Sequence, residues 1–134
     1  MDSVNNLKAV IAVAVGSSTS DNTAITGATV DRLGFETVTF VLATGTLADA
    51  DATFAVKLQH GSASDLSDAT DVTDADLIGD FSGFKYDDDN KVFKLGYAGA
   101  KRYVRIVVTP SSNSGAAPMC GVAILGKDKK YPIA

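Results

Sequence analysis

Short apolar runs with a period of two, separated by Gly, Ser, Asp and Asn, recur along the chain. Between Phe35 and Ala43, Val38, Phe40 and Leu42 alternate with Thr37 and Thr39. Between Thr53 and His60, Phe54, Val56 and Leu58 alternate with Lys57 and Gln59. This is the alternation of strands that bury one face, and residues 44–52 between them predict a hairpin with a long, mobile loop. Phe93, Leu95 and Tyr97, then Val104, Ile106 and Val108, predict a second hairpin closed by residues 98–101. At the start, Leu7, Ala9, Ile11, Val13 and Val15 share one parity, yet Val10, Ala12 and Ala14 are apolar too. Such a strand is expected to be covered on both faces or paired with a partner. Cys120 to Leu125 predicts a last strand.

The intervening stretches are polar. Residues 16–22 and 110–118 read as loops, the latter flexible, and residues 61–79 as a surface excursion with five Asp. Asp74 to Gly79 predicts one helical turn with Leu77 and Ile78 tucked onto the core. Phe81, Phe84 and Tyr86 surround Gly83 before the acidic turn Asp87-Asp88-Asp89-Asn90. No long helical period and no repeat of solenoid length is present. Six or more strands in 134 residues predict an all-β fold. The expected form is a single-domain antiparallel β-sandwich, jelly-roll-like, with a small β-barrel as the alternative. One domain over residues 1–134 is expected, with an N-terminal arm at 1–6 and a C-terminal tail at 127–134.

Composition narrows the chemistry. With 46% apolar and 21% charged residues the chain has a globular composition. A single Cys excludes an intrachain disulfide, and one Cys with one His excludes a zinc site of four N/S ligands from one chain. No apolar run nears the ~20 residues that cross a bilayer, and Met1 to Asn6 lacks the basic stretch of a secretory leader. A soluble, reduced protein is expected.

The net charge of −4 hides an asymmetry: residues 1–44 carry −2, residues 45–90 carry −9 and residues 91–134 carry +7. Opposed fields in a small protein favour charge-matched docking. The basic residues form no dense tract and Tyr97 and Tyr103 are thin support for base stacking, so no direct nucleic-acid binding is expected.

Catalytic signatures are weak. His60 shares the parity of Phe54, Val56 and Leu58 and reads as a residue at the core edge. Cys120 falls on an expected buried face, where a free thiol acts as a small hydrophobe. Gly16-Ser17-Ser18-Thr19-Ser20 lacks the Lys of a P-loop and the flanking Gly of a nucleophile elbow. Asp71, Asp74 and Asp76, and Asp87 to Asn90, offer clustered oxygens without the spacing of a calcium loop, and read as solvated acidic turns. No catalytic residue, no cofactor and no metal ligand is assigned, and the chain is expected not to be an enzyme.

The segment Val30 to Phe40, the piece Asp76-Leu77-Ile78-Gly79, the run Leu95 to Val108 and the closing Gly121 to Gly126 together resemble small structural proteins of tailed-phage heads, among them capsid cement or decoration proteins. The resemblance covers about residues 30–126 and is one of strand and turn residues. It implies a jelly-roll-like sandwich without cofactor or active site that binds the outside of the major capsid protein shell non-covalently. It also implies assembly with other copies of itself, no membrane, synthesis in the host cytoplasm and residence on the capsid surface of the virion. A neck or tail component is the near alternative, and a β-sandwich ligand- or glycan-binding module the distant one. The expected interface is Lys101, Arg102, Tyr103 and Arg105, where Tyr103 and Arg105 share the outward face of one strand and Arg–Tyr pairs suit interface hot spots.

Overall fold

The computed structural model describes Val4 and residues 7–128, with side chains through residue 126. Among the described residues eleven strands make two antiparallel sheets: β1 (Leu7–Ser17), β2 (Ile25–Thr26), β3 (Val30–Asp31), β4 (Phe35–Thr44), β5 (Thr53–Gly61), β6 (Thr70–Asp71), β7 (Leu77–Ile78), β8 (Gly83–Lys85), β9 (Val92–Tyr97), β10 (Tyr103–Ser111) and β11 (Met119–Asp128). The front sheet runs β1-β11-β4-β9-β7. The back sheet runs β2-β10-β5-β6, with β3 also on β10 and β8 also on β5. The expected arm at 1–6, apart from Val4, lies outside the described residues, as do residues 129–134 of the expected tail. Residues 127 and 128 of that tail belong to β11.

The alternation read from the sequence places the core correctly. Val38, Phe40 and Leu42 of β4 and Phe54, Val56 and Leu58 of β5 are buried in one cluster with Leu95, Tyr97, Val104, Ile106 and Val108. The two expected hairpins do not form. β4 pairs with β11 and β9, whereas β5 pairs with β10, so β4 and β5 face each other across the core. β9 and β10 are separated in the same way. A strand that buries one face shows the same period of two whether its successor lies beside it or opposite it. Neither connection carries the Asn-Gly or Asp-Gly pair that marks a tight hairpin. From β4 onward successive long strands therefore alternate between sheets, and the short β2 and β3 of the back sheet separate β1 from β4, the connectivity of a double-sheet jelly roll.

Loop positions follow from this crossing. The connection after β4 is tied down rather than mobile: Gly45 N–H donates to Pro118 O and Ala48 N–H to Ala116 O, at 2.9 and 3.0 Å. The Asp49 carboxylate accepts from Ser114 N–H and hydroxyl at 2.6 and 2.8 Å. The loop 112–118 is likewise held, because buried Asn113 donates to the carbonyls of Thr19 and Asp21. Pro110 belongs to β10, opposite Phe54. The expected helical turn is a 3-10 turn at Asp74–Asp76, and Leu77 packs on the core, but Ile78 is exposed. Phe54, Phe84, Phe93 and Phe81 stack in a row at centroid spacings of 4.7, 5.7 and 4.6 Å, and so tie β5 and β8 of the back sheet to β9 of the front.

Phe40 and Phe54 are each almost wholly enclosed. Truncating either to Ala is expected to cost about 3–5 kcal/mol of unfolding free energy, as for large aromatics elsewhere. Urea denaturation measures this, and an unmoved midpoint would place these rings outside the core.

Candidate interaction surfaces

Residues singled out from the sequence gather on two structural features. The first is a polar junction at one end of the sandwich, where the β9–β10 connection crosses between sheets. Tyr97 ends β9 with its ring buried, and its hydroxyl accepts the N–H of Lys101 at 3.0 Å. The same hydroxyl is hydrogen-bonded to Nδ1 of His60 on β5 at 2.7 Å. The rings meet edge to face at 5.6 Å. Arg32 sits over the Tyr97 ring at 5.4 Å, donates to Gly99 O at 2.9 Å, and also donates to the carbonyl of Lys101. Burial pushes the Tyr97 phenol above its ordinary range. His60 is thus a half-buried residue of the core edge, as its parity implied, and it fixes a phenol that fixes a loop. A side chain on Gly99 would collide with the Tyr97 ring, so a glycine is needed at this close approach.

The second feature is the outer face of the back sheet, which holds the expected interface. Tyr103 and Arg105 do stand together on the outward face of β10, both half-buried. Arg105 Nε donates to Gln59 Oε1 at 2.9 Å, Gln59 donates on to Asp71 at 3.0 Å, and Lys57 pairs with Asp71 at 3.3 Å. Arg102 binds Asp31 with two bonds of 2.9 Å and lies 5.0 Å from the Tyr103 ring centre. Lys101 is exposed beside these. The face is a ladder of matched charges and amides running from β3 across β10 and β5 to β6. Hydrogen bonding from Arg102 holds the Asp31 carboxyl below the ordinary carboxylate range. Gln59 does the same for Asp71, followed by Lys57.

The front sheet's outer face differs, and sequence reading did not single it out. Val122 and Ile124 of β11 stand there, flanked by Ile11 and Ala9 of β1 and by Val41 and Thr39 of β4. Leu7 lies across Gly126, and Ile78 across Gly96. Lys94 is the charged side chain in the β9 part of this face. Cys120 belongs here as well: Met119, Gly121, Ala123 and Leu125 point inward, so Cys120 is half-buried on the outer face and not on the buried face its sequence context implied. β1 is not covered on both faces. Irregular register after Ile11 buries both Ala12 and Val13, while Leu7 and Ile11 remain 43% and 50% exposed. The signal was present as a run apolar at both parities; what it lacked was any indication of which parity faced out.

An open groove of about 790 Å³ lies over the β4–β9–β7 part of this face, bordered by Thr37, Thr39, Ile78, Phe81 and Lys94. The acidic turns act as local caps: Asp88 accepts Lys85 N–H at 3.0 Å and Asp89 accepts Leu47 N–H at 3.0 Å. Among the described residues no group of three or more His, Cys, Asp or Glu is placed to hold a metal ion, and no helix is long and apolar enough to cross a membrane.

No family model matches the chain, and no curated protein is similar to it. Among solved structures it is similar to the N-terminal CBM22-1 and GH10 modules of Clostridium thermocellum endo-1,4-beta-D-xylanase 10B, complexed with xylohexaose. The TM-score is 0.38 at 13% identity, and the match covers 94% of this chain and 22% of that one.

Two outcomes follow from these contacts. Tyr97→Phe strips the acceptor from Lys101 N–H and the hydrogen-bond partner from His60 Nδ1, and is expected to cost about 1–3 kcal/mol in thermal or urea unfolding. The depressed carboxyls of Asp31, Asp71 and Asp88 take up protons more readily in the unfolded chain. Stability is then full above the ordinary carboxylate pKa of ~3.9 and falls as pH drops below it toward the folded values. Unfolding midpoints between pH 7 and 2 check this, and Asp31→Asn should flatten the acid limb.

Proposed function

We propose that this chain is a non-enzymatic structural protein of a tailed-phage virion, a capsid cement protein. In this reading it binds the outside of the major capsid protein shell and stabilises the head non-covalently. One observation carries the assembly role: the sandwich has two dissimilar outer faces, one an ordered ladder of charges, the other almost uncharged and apolar. A protein that works alone in water is expected to solvate both, whereas a part built into a larger array needs separate contacts. The strand and turn pattern of residues 30–126 supports the phage head as that array. Modest contacts repeated over a shell add up through multivalency, so no covalent step is required.

On this reading the back-sheet ladder with Lys101, Arg102, Tyr103 and Arg105 meets the shell. Matched charges at such a face steer docking and set register more than they add affinity. A glycan- or ligand-binding module is the second reading, favoured by the open groove over Gly96; saturable glycan binding by the isolated chain would select it. Stacked rings seen by microscopy would instead select a tail or neck part.

Retention on particles after dilution or heating is the measurement. Tyr103→Ala should lower retention by about tenfold or more, as for an interface hot spot, with a smaller effect on the fold of the free protein. Arg105→Glu should act on attachment, and added salt should weaken wild-type attachment at a solvated rim. Variants that fold normally and stay bound as wild type does would remove this face from the contact.

A further inference from the structure

We propose that the edge of β9 left open beyond β7 is a strand-addition site, which takes an extended segment of a partner polypeptide carrying one acidic side chain opposite Lys94. This goes beyond the cement reading and concerns a different surface from the back-sheet ladder.

Main-chain geometry defines the site. Along a strand, the N–H and C=O of successive residues point to opposite sides. Lys91 O accepts from Thr44 N–H of β4, and Ala98 N–H donates the other way, to Asp76 O just before β7. Val92, Lys94 and Gly96 therefore present their main-chain groups away from β4. Gly96 is paired with Ile78. There the ladder stops, because Gly79, at φ +104°, turns the chain toward β8 in the back sheet. Lys94 and Val92 are left with no main-chain partner on that side among the described residues.

Other gaps along the sheet edges are closed by the chain itself. On β5, between β6 and β8, Val56 N–H donates to Ser82 O and Leu58 O accepts from Val72 N–H, both at 2.9 Å. On β10, between β2 and β3, Ile106 O accepts from Gly27 N–H at 2.7 Å. The long β1 edge is crossed at its middle, where Ala12 O accepts from Ala28 N–H at 2.8 Å. The β9 edge instead opens on the groove of about 790 Å³ bordered by Ile78, Gly79, Phe81 and Lys94. Unpaired main-chain groups beside a recess call for another main chain. In strand addition those bonds supply affinity, and alternate side chains supply specificity.

Charge then selects the side chain. Lys94 is exposed on the outer face and forms no ion pair among the described residues, whereas neighbouring Lys91 is matched by Asp88. A strand added in line with β7, antiparallel to β9, sets one residue directly across from Lys94, within ~5.5 Å between Cβ atoms. An acid there completes the pair. Two positions further on, the added strand faces Val92, which is 68% exposed and is matched by an aliphatic side chain. Asp80 also borders the groove, so a single acid, not an acidic run, is the complement.

The probe is the blocked peptide acetyl-Thr-Glu-Thr-Val-Thr-amide, titrated into the isotope-labelled chain and followed by NMR. Saturable binding is expected, with hydrogen exchange of the Lys94 amide slowed by about tenfold or more. Methylating the Glu nitrogen of the peptide removes the donor to Lys94 O and should raise the dissociation constant by about tenfold or more. Lys94→Glu should weaken this peptide and favour one with Lys in place of Glu, a reversal that loss of the fold cannot produce. No binding up to about 5 mM, indifference to methylation, or an unchanged peptide preference in Lys94→Glu would each overturn the proposal. A neutral oligosaccharide that displaces the peptide without protecting the Lys94 amide would overturn it in favour of the glycan reading. Protection that grows with protein concentration alone would overturn it in favour of a second copy.

Discussion

Everything in this molecule depends on the inward faces of β4, β5, β9, β10 and β11 being buried against one another across the gap between two sheets. Among the described residues no helix covers either sheet, so each inner face is buried chiefly against the other, with loop residues such as Leu47 and Ala117 in the same cluster. Phe40, Leu42 and Tyr97 from the front meet Phe54, Leu58 and Ile106 from the back in that layer. Because the long strands from β4 to β11 belong alternately to opposite sheets, the covalent chain stitches the layer shut each time it crosses. Packing and connectivity thus constrain the same degree of freedom, the separation of the sheets.

Crossing a sandwich has a cost in backbone polar groups, which the connections must satisfy without a ladder. At one end Arg32 and Tyr97 supply donors and an acceptor to the 98–101 connection, and His60 holds the Tyr97 hydroxyl. Elsewhere Asp89 does so for Leu47, Asp49 for Ser114, Thr44 for Asp88 and Lys91, and Asn113 for the carbonyls of Thr19 and Asp21. Among the described residues no buried side-chain nitrogen or oxygen is left without a partner. Many of the Asp residues that give the middle of the chain its charge are therefore spent on N–H groups of turns.

The core was legible from sequence because alternation reports burial directly: Phe40, Phe54, Leu58 and Ile106 were all placed by parity alone. Strand pairing was not legible, since alternation carries no information about which neighbour supplies the hydrogen bonds. Tyr103 and Arg105 were correctly placed on a common outward face, but Gln59, which Arg105 binds, and Asp31, which the neighbouring Arg102 binds, come from 46 and 71 residues away and have no local signature. Cys120 was misplaced by one position of register. In a run where Cys120, Val122 and Ile124 are as apolar as Met119, Ala123 and Leu125, only the flanking strands decide which set points in. The same ambiguity concealed the front-sheet face, whose apolar residues are indistinguishable in sequence from core.

The position of β11 has a consequence for how the chain reaches this state. It lies between β1 and β4 and is hydrogen-bonded to both along most of its length. During synthesis β1 and β4 emerge long before it and have no direct ladder with each other, so the front sheet stays split until Met119–Asp128 has left the ribosome. Until then the emerging chain exposes a strand-wide slot lined by apolar edges. Completion of the front sheet is thereby deferred until β11 is available, and any protein that guards this chain during synthesis has that slot to cover.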